Sequence, residues 1–332
     1  MPEPARRQVT VVVPTRNRVA LLGQALGTIL GQVGVELDVV VVDEGSTDAT
    51  PDWLAGLGDP RVTVVRHDEP KGLPAARNAG IARATAPWVA FCDDDDLWAA
   101  DKLAAQLDAL ADAPAAGWAT CGNVSVDADL RIIGHHRPPV GGDIARALEA
   151  HNVVPSGGST VVVARALLDE VDGFDPAFTS CEDFELWNRL GHASPIATVD
   201  RPLAAYRVRP GNMSANTPVM RANHDAVVAR HRAALDPEVA RHGDLVHAQY
   251  LARFPLRQGR RIAAARAYLD VAWRFRLPGH VAHAGLALVV PGWAEARRAR
   301  AERAEVPEAW AAEAEAWLAP LRQPAGAHEV VA

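Results

Sequence analysis

The sequence predicts an α/β protein: a mostly parallel, mixed central sheet sandwiched by helices, followed by a helical C-terminal region. Three observations carry this. Short β-branched runs alternate with helical patterns over residues 8–98, which is the signature of a parallel, doubly wound sheet of the nucleotide-binding type. Beyond residue 116 the strand signals come in pairs, so the sheet becomes mixed. From about Val219 the composition shifts to Ala, Arg, Glu and His without strand signals.

Gln8 to Val13 (QVTVVV) reads as the first strand and Pro14 to Arg18 as a turn; Leu21, Leu22, Leu26, Ile29 and Leu30 mark the first helix. Leu37 to Val42 is almost continuously apolar, as a strand covered on both faces would be, and runs into Asp43-Glu44-Gly45-Ser46-Thr47-Asp48. Ser46 or Thr47 is placed to cap a helix starting near Pro51. Arg61 to Arg66 is a third strand, and Lys71 to Ile81 supplies a glycine-started loop and a short helix. Val89 to Cys92 is the fourth strand. Its C-terminal edge, where open α/β sheets bind ligands, carries Asp93, Asp94, Asp95 and Asp96, closed by Leu97 and Trp98.

Lys102 to Leu110 is an amphipathic helix, Gly117 to Val126 and Arg131 to Gly134 a strand pair, and Ile144 to Ala150 a helix. Gly157 to Val163 reads as a strand leading to a helix from Ala164. Cys181 to Trp187 opens a helix with Leu186, Trp187 and Leu190 on its apolar side, and Ile196 to Arg209 gives a short strand or two. The expected division is residues 1–218, in halves 1–100 and 101–218, and a helical region 219–332 whose final residues, about eight, are disordered.

The chain has 332 residues, of which 49% are hydrophobic and 23% charged, enough for a sizeable core. Its net charge of -7 argues against a nucleic-acid partner, because phosphate backbones are held by excess Lys and Arg. Cys92, Cys121 and Cys181 are too scattered for a zinc site or a disulfide framework and point to a reducing compartment. With neither a basic-then-apolar leader nor a bilayer-length apolar run, the expected location is cytoplasmic, with a peripheral place at the inner face of the membrane left open.

Four carboxylates in a row repel one another. A fold keeps such a run beside its core mainly when a cation or a cationic partner neutralises it; a solvated acidic turn is the bland alternative. Phe91, Leu97 and Trp98 tie the run to the core. Asp43 could instead serve its own loop, Arg77 pair with a surface acid, Asp96 cap a turn, and Asp183 cap its helix.

Six motifs follow in order: PTRNR at 14–18, VVDEGSTDAT at 41–50, KGLPAARNAGI at 71–81, FCDDDDLW at 91–98, DGFD at 172–175 and CEDFELW at 181–187. Together, over residues 8 to about 215, they closely resemble the family 2 glycosyltransferases. The resemblance implies a GT-A fold, an αβα sandwich holding a nucleoside diphosphate sugar and a divalent cation. Residues 1–100 would be its nucleotide-binding half and 101–218 its acceptor-binding half.

On this resemblance Asp93 and Asp95 form the DxD pair that ligates Mg²⁺ or Mn²⁺, and Asp94 lies toward the ribose. Pro14, Thr15 and Arg16 occupy the loop around the base. Asp43 and Glu44 stand where the family usually has two aspartates, the second often bonding a pyrimidine; Glu44 is one methylene longer. A UDP-sugar is the expected donor, with the base left open by that departure. Arg77 would neutralise the diphosphate as a guanidinium fork. Asp183 resembles the catalytic base of inverting members, taking the proton of an acceptor hydroxyl as that oxygen attacks the anomeric carbon. Arg209 stands where many relatives carry a histidine before a proline; if that histidine touches the cation, Arg209 would replace it by charge facing the diphosphate, a contact the sequence leaves open.

The implied acceptor is a hydroxyl of a glycan, a lipid-linked molecule or a small molecule. Leu286 to Val290, with Trp293 and Arg297, Arg298 and Arg300, could rest on a membrane, pack on the catalytic domain, or join a second subunit as a homodimer. Two other classes remain compatible. A nucleotidyltransferase also uses strand-end aspartates and a metal, although PTRNR lacks the glycine-rich character of its triphosphate loop. A non-catalytic nucleotide-sugar or glycan-binding protein would make Asp93, Asp95 and Asp183 dispensable.

Overall fold

The structure, a computed structural model, describes residues 7–155, 157–209, 217–232, 235–252, 254–257, 259–290, 303 and 305–322. Strands β1 (Gln8–Thr15), β2 (Glu36–Glu44), β3 (Val62–His67) and β4 (Trp88–Phe91) are mutually parallel, in the spatial order β3-β2-β1-β4. They are linked by helices α1 (Val19–Leu30), α2 (Thr50–Ala55) and α3 (Leu73–Arg83). The side-chain alternation of β1 builds both faces. Val9, Val11 and Val13 pack with Leu22, Leu26 and Ile29 of α1, whereas Val12 packs with Ile81 of α3 and Phe91 of β4.

Past β4 the sheet turns mixed, as expected. Strand β8 (Val161–Ala164) pairs antiparallel with β4 and with β6 (Trp118–Val126); β6 runs parallel to β9 (Ile196–Arg207). The short β5 (Leu97–Trp98) closes the order on β9, and β7 (Ile132–His136) forms a hairpin with β6. Helices α4 (Lys102–Asp112), α5 (Ala145–Ala150), α6 (Arg165–Glu170) and α7 (Glu182–Ala193) cover this half.

Several local expectations change. Pro14 and Thr15 belong to β1, in register with Val42 and Asp43, because the loop begins only where Asn17 takes a left-handed φ of 55°. Ser46 and Thr47 do not cap α2. Ser46 Oγ accepts from Asn17 N–H, Thr47 N–H donates to Asn17, and Asp48 serves Thr50 N–H instead. Gly157–Thr160 is a 3-10 turn, since Thr160 Oγ donates to Pro155 O and Gln106 Nε2 donates to Thr160 O. Residues Ile196–Arg207 form one twelve-residue strand, kept continuous by register shifts around Gly122, which lies opposite Pro202.

The helical region comprises α8 (Thr217–His231), α9 (Pro237–Ala252), α10 (Phe254–Arg257), α11 (Arg261–Phe275), α12 (Gly279–Val289) and α13 (Glu308–Leu318). Helix α13 returns to the sheet. Ala314 and Leu318 join Leu97, Val124, Val126 and Ala205, and Trp310 sits where a Cβ on Gly122 would come within 2.1 Å of its ring. Helix α9 packs on α5 so closely that a Cβ on Gly243 would lie 1.8 Å from Ala150 O. The expected disordered tail, and Trp293, Arg297, Arg298 and Arg300, lie outside the described residues. Among the described residues no helix is long and apolar enough to cross a membrane.

Candidate active site

The carboxylate run begins where β4 stops. Cys92 N–H still donates to Val12 O, but Asp93 N–H donates to Ser159 Oγ at 3.1 Å, and Asp96 N–H turns back to Asp93 O at 3.1 Å. The turn splays the four side chains toward four different partners. Asp93 accepts from Arg77 Nη2 at 2.7 Å. Asp94 accepts from Thr15 Oγ1 and from Arg18 Nη1, each at 2.7 Å. Asp95 accepts from Arg209 Nε at 2.7 Å and lies 3.5 Å from Arg18. Asp96 accepts from Arg207 N–H at 3.1 Å, which ties the turn to β9; it does not cap the following helix.

Arg77 joins this cluster to α7. Its buried guanidinium bonds Asp93 on one side and Glu182 Oε1, at 2.8 Å, on the other, and its Cζ stands 5.1 Å from the centre of the Phe174 ring. Burial pulls its pKa down, but Asp93 and Glu182 more than compensate, so the guanidinium is locked in its charged form. Asp183 follows Glu182 in the first turn of α7, and its Oδ1 accepts from Phe184 N–H at 2.7 Å. The Gly157–Thr160 turn lies between the two acids. Ser159 holds Asp93, and a Cβ on Gly157 would stand 3.4 Å from Asp183 Oδ2, so glycine leaves the space over that carboxylate open.

Crowding and burial favour protonation of several of these acids. Burial raises Asp94 to about 6 against the pull of Arg18, and raises Glu182 to about 7 against that of Arg77. Asp96 is pushed well above the usual carboxylate range by burial and by Asp95 and Asp93. Asp183 is raised by burial, opposed by Arg77 and by the Phe184 amide.

The remaining expected site residues lie one strand over. Pro14 is buried at the end of β1, and Arg16 is exposed in the loop that follows. Asp43, in register with Thr15, accepts from Ser46 N–H at 2.9 Å and pairs with Arg66. Glu44 Oε2 accepts from Lys71 N–H and Gly72 N–H at 2.8 and 2.7 Å, while Oε1 meets His67 Nδ1. Both oxygens of Glu44 are thus committed to shaping the loop before α3. Thr15, Arg77, Asp93, Asp94, Asp95 and Asp183 form one connected group, with Asp43 and Glu44 on its β2 flank.

Four participants stood outside the expected site residues: Arg18, Ser159, Glu182 and Arg207. Arg207 was detectable, because residues two apart on a strand share a face with Arg209. Arg18 competed with Arg16 inside PTRNR, and only the turn at Asn17 decides between them. Glu182 looked like an ordinary acid at a helix start, and nothing local announces that its partner is Arg77.

Hard carboxylate oxygens at Asp93 and Asp95 suit Mg²⁺ or Mn²⁺, which usually take one or two carboxylates and fill their other positions with phosphate and water. Six acids (Asp93, Asp94, Asp95, Asp96, Glu182 and Asp183) gather around four guanidinium groups (Arg18, Arg77, Arg207 and Arg209), and because burial favours protonation of several of these acids the cluster is close to charge balance. Asp96 Oδ2 is buried without a hydrogen-bond partner. The residues present therefore fit a divalent cation, although among the described residues no three His, Cys, Asp or Glu side chains form a ready cage for one.

Comparison with known proteins agrees with this fold. The model of glycosyl transferase family 2 matches residues 10–172. The succinoglycan biosynthesis protein ExoO of Rhizobium meliloti is 42% identical over 100 residues, covering 30% of this chain and only 29% of that protein. WfgD of Escherichia coli, a UDP-Glc:alpha-D-GlcNAc-diphosphoundecaprenol beta-1,3-glucosyltransferase, is 25% identical over 210 residues, 63% of this chain and 80% of its own. Among solved structures, Staphylococcus aureus TarS 1–349 in complex with UDP superposes with a TM-score of 0.55 at 19% identity, covering 89% of each chain. The mannosyltransferase PcManGT of Pyrobaculum calidifontis, in complex with GDP-Man and Mn²⁺, gives a TM-score of 0.56 at 24% identity over 89% of this chain and 85% of its own. The fold is accordingly that of the GT-A glycosyltransferases. Motif order, sheet topology and sequence match converge on glycosyl transferase family 2, whose model this chain matches over residues 10–172.

Proposed function

We propose that this chain is an inverting hexosyltransferase that moves a sugar from a UDP-sugar to an acceptor hydroxyl, on a glycan, a lipid-linked molecule or a small molecule, with Mg²⁺ or Mn²⁺ held by Asp93 and Asp95. One observation carries the reading. Asp93 and Asp183, from opposite halves of the sheet, are bridged by Arg77 and Glu182 on one side and by Gly157 to Ser159 on the other. A donor whose diphosphate lies at Asp93 and Asp95 then presents its sugar toward Asp183.

In this scheme Asp183 takes the acceptor's proton as the acceptor oxygen attacks the anomeric carbon from the face opposite the nucleotide. The carbon–oxygen bond to the diphosphate breaks and its electron pair leaves with the nucleotide, which inverts the anomeric centre. Arg77 fixes the position of α7, and so of Asp183, relative to the aspartate turn; Arg18 and Arg209 supply positive charge at Asp95. The bound cation would neutralise charge on the departing diphosphate. A uridine donor is supported by the UDP-Glc named for WfgD and the UDP complex of TarS, whereas PcManGT holds GDP-Man, so Glu44 leaves the base to experiment.

Asp183→Asn tests the assignment. It should bind donor as the wild type does, by calorimetry, while transfer to an acceptor falls by about 10²–10⁴-fold. A fully active variant removes Asp183 as the base.

A further inference from the structure

We infer that α11 carries a docking surface for an anionic lipid bilayer, with exposed apolar residues of α12 beside it. Helix α11 has two faces. Ala264, Ala265, Tyr268, Val271 and Phe275 are buried in a core shared with α9 and α12. On the other side Ile262, Arg266, Leu269 and Trp273 follow one another at spacings of four, three and four residues, and Arg276 is the left-handed residue that ends the helix. At 3.6 residues per turn this places the four within an arc of about 60°. They form one stripe along the helix.

The stripe is apolar and exposed. Ile262 is 63% exposed, Leu269 46% and Trp273 87%, and on α12, which packs against α11, Val281 is 53%, Leu288 46% and Val289 77% exposed. A tryptophan this open to water gives up most of the stabilisation its ring could gain by burial, and its amphipathic ring suits the headgroup level of a bilayer. The charge around it has the matching sign. Residues 259–290 hold Arg260, Arg261, Arg266, Arg274 and Arg276 against Asp270, a net +4 in a chain whose total is -7. Asp270 is itself engaged by Arg274, at 3.7 Å.

That charge also chooses between occupants. A second copy of the chain joined through the same face would set one basic patch, with Arg266 and Arg276, against another, because a two-fold interface uses the same surface on both subunits. Anionic headgroups would complement them, and a basic amphipathic helix with Trp and Leu on its apolar side is the type that lies in a membrane surface. Helix α11 rests on α9, α9 on α5, and α5 on α7, which begins with Asp183. The surface is therefore on the acceptor-binding flank, a link that rests on the transferase reading; the docking itself does not.

Co-sedimentation of the full chain with phosphatidylcholine vesicles, with and without phosphatidylglycerol, tests this. The wild type should sediment with the phosphatidylglycerol vesicles alone, and less so as salt rises. Trp273→Glu, and separately Arg266→Glu with Arg276→Glu, should weaken that binding about tenfold or more while thermal stability and donor binding stay unchanged. The inference is overturned by a wild type that ignores anionic vesicles, or by a Trp273→Glu variant that sediments as the wild type does. It is also overturned by a light-scattering dimer that Trp273→Glu converts to monomer without any vesicle binding, which would assign the face to a second copy. Vesicle binding is read without donor, so failure here and failure of the transferase reading are separate results.

Discussion

Arg77 and Glu182, 105 residues apart in sequence, form a buried ion pair of 2.8 Å, and the same guanidinium holds Asp93 at 2.7 Å. One side chain of α3 thereby fixes the distance between the end of β4 and the start of α7. The arrangement joins stability to function, because Arg77 touches Glu182 and Asp93 while the adjacent Asp183 lies beneath Gly157.

Arg77→Ala should therefore destabilise the fold as well as the site. Removing one partner of a buried pair leaves the others uncompensated, at a cost of about 3–5 kcal/mol. Arg77→Lys should recover only part of this, since a compact ammonium cannot reach Asp93 and Glu182 with the two separate donor arms that Nη1 and Nη2 provide. Urea denaturation reads both variants; an Arg77→Ala midpoint equal to that of the wild type would mean that the triad contributes nothing net.

Asp95→Ala should abolish the metal-dependent part of donor binding. Its carboxylate is the one that meets both Arg209 and Arg18, and its loss leaves those guanidinium groups facing a site with one charge fewer. Asp96→Asn should behave differently, because burial already favours the uncharged acid there and the amide oxygen can still accept from Arg207 N–H. Calorimetry with Mn²⁺ separates them: unchanged binding in Asp95→Ala takes Asp95 out of the ligand set.

Glu44→Gln should weaken donor binding without reordering the preference among UDP, GDP and dTDP sugars. The glutamine keeps one acceptor oxygen for the amides of Lys71 and Gly72 but brings an NH₂ group toward His67, loosening the loop before α3 at about 1–3 kcal/mol. A thermal-shift series with the three nucleotides is the measurement. A changed ranking would mean that Glu44 reads the base directly.

The strands that build the site were legible because each is a short apolar run ended by polar residues, and Val12, Val41 and Phe91 are buried as that pattern requires. Asp93, Asp95 and Asp183 were legible as chemistry. Their partners were not: Arg18, Glu182 and Arg207 are selected by strand order and by the turn at Asn17, which no local window contains. Gly157 to Thr160 misled for the same reason. Its β-branched continuation reads as strand, yet Gln106, 54 residues upstream of Thr160, holds its carbonyl in a 3-10 turn.

Glu185 gives a pH-dependent test of how α8 is fastened to the helix that bears Asp183. Its buried carboxylate is bonded by Arg189 at 2.6–3.1 Å and by Arg230 Nη1 at 3.1 Å, with His231 Nε2 at 3.2 Å. Burial pushes this acid up, but His231, Arg189 and Arg230 together outweigh it and hold the group at about 2, below its ordinary 4.5. A carboxylate with a depressed folded pKa stabilises the protein above its unfolded pKa, and that contribution fades as pH falls from about 4.5 through about 2. The shift corresponds to at most about 3 kcal/mol at neutral pH. Glu185→Gln should accordingly be less stable than the wild type at pH 7 by up to that amount, with the gap closing as the solution is acidified below the ordinary glutamate range. Urea midpoints of both proteins across that interval provide the check, and a gap independent of pH would show that packing, not charge, is what Glu185 contributes.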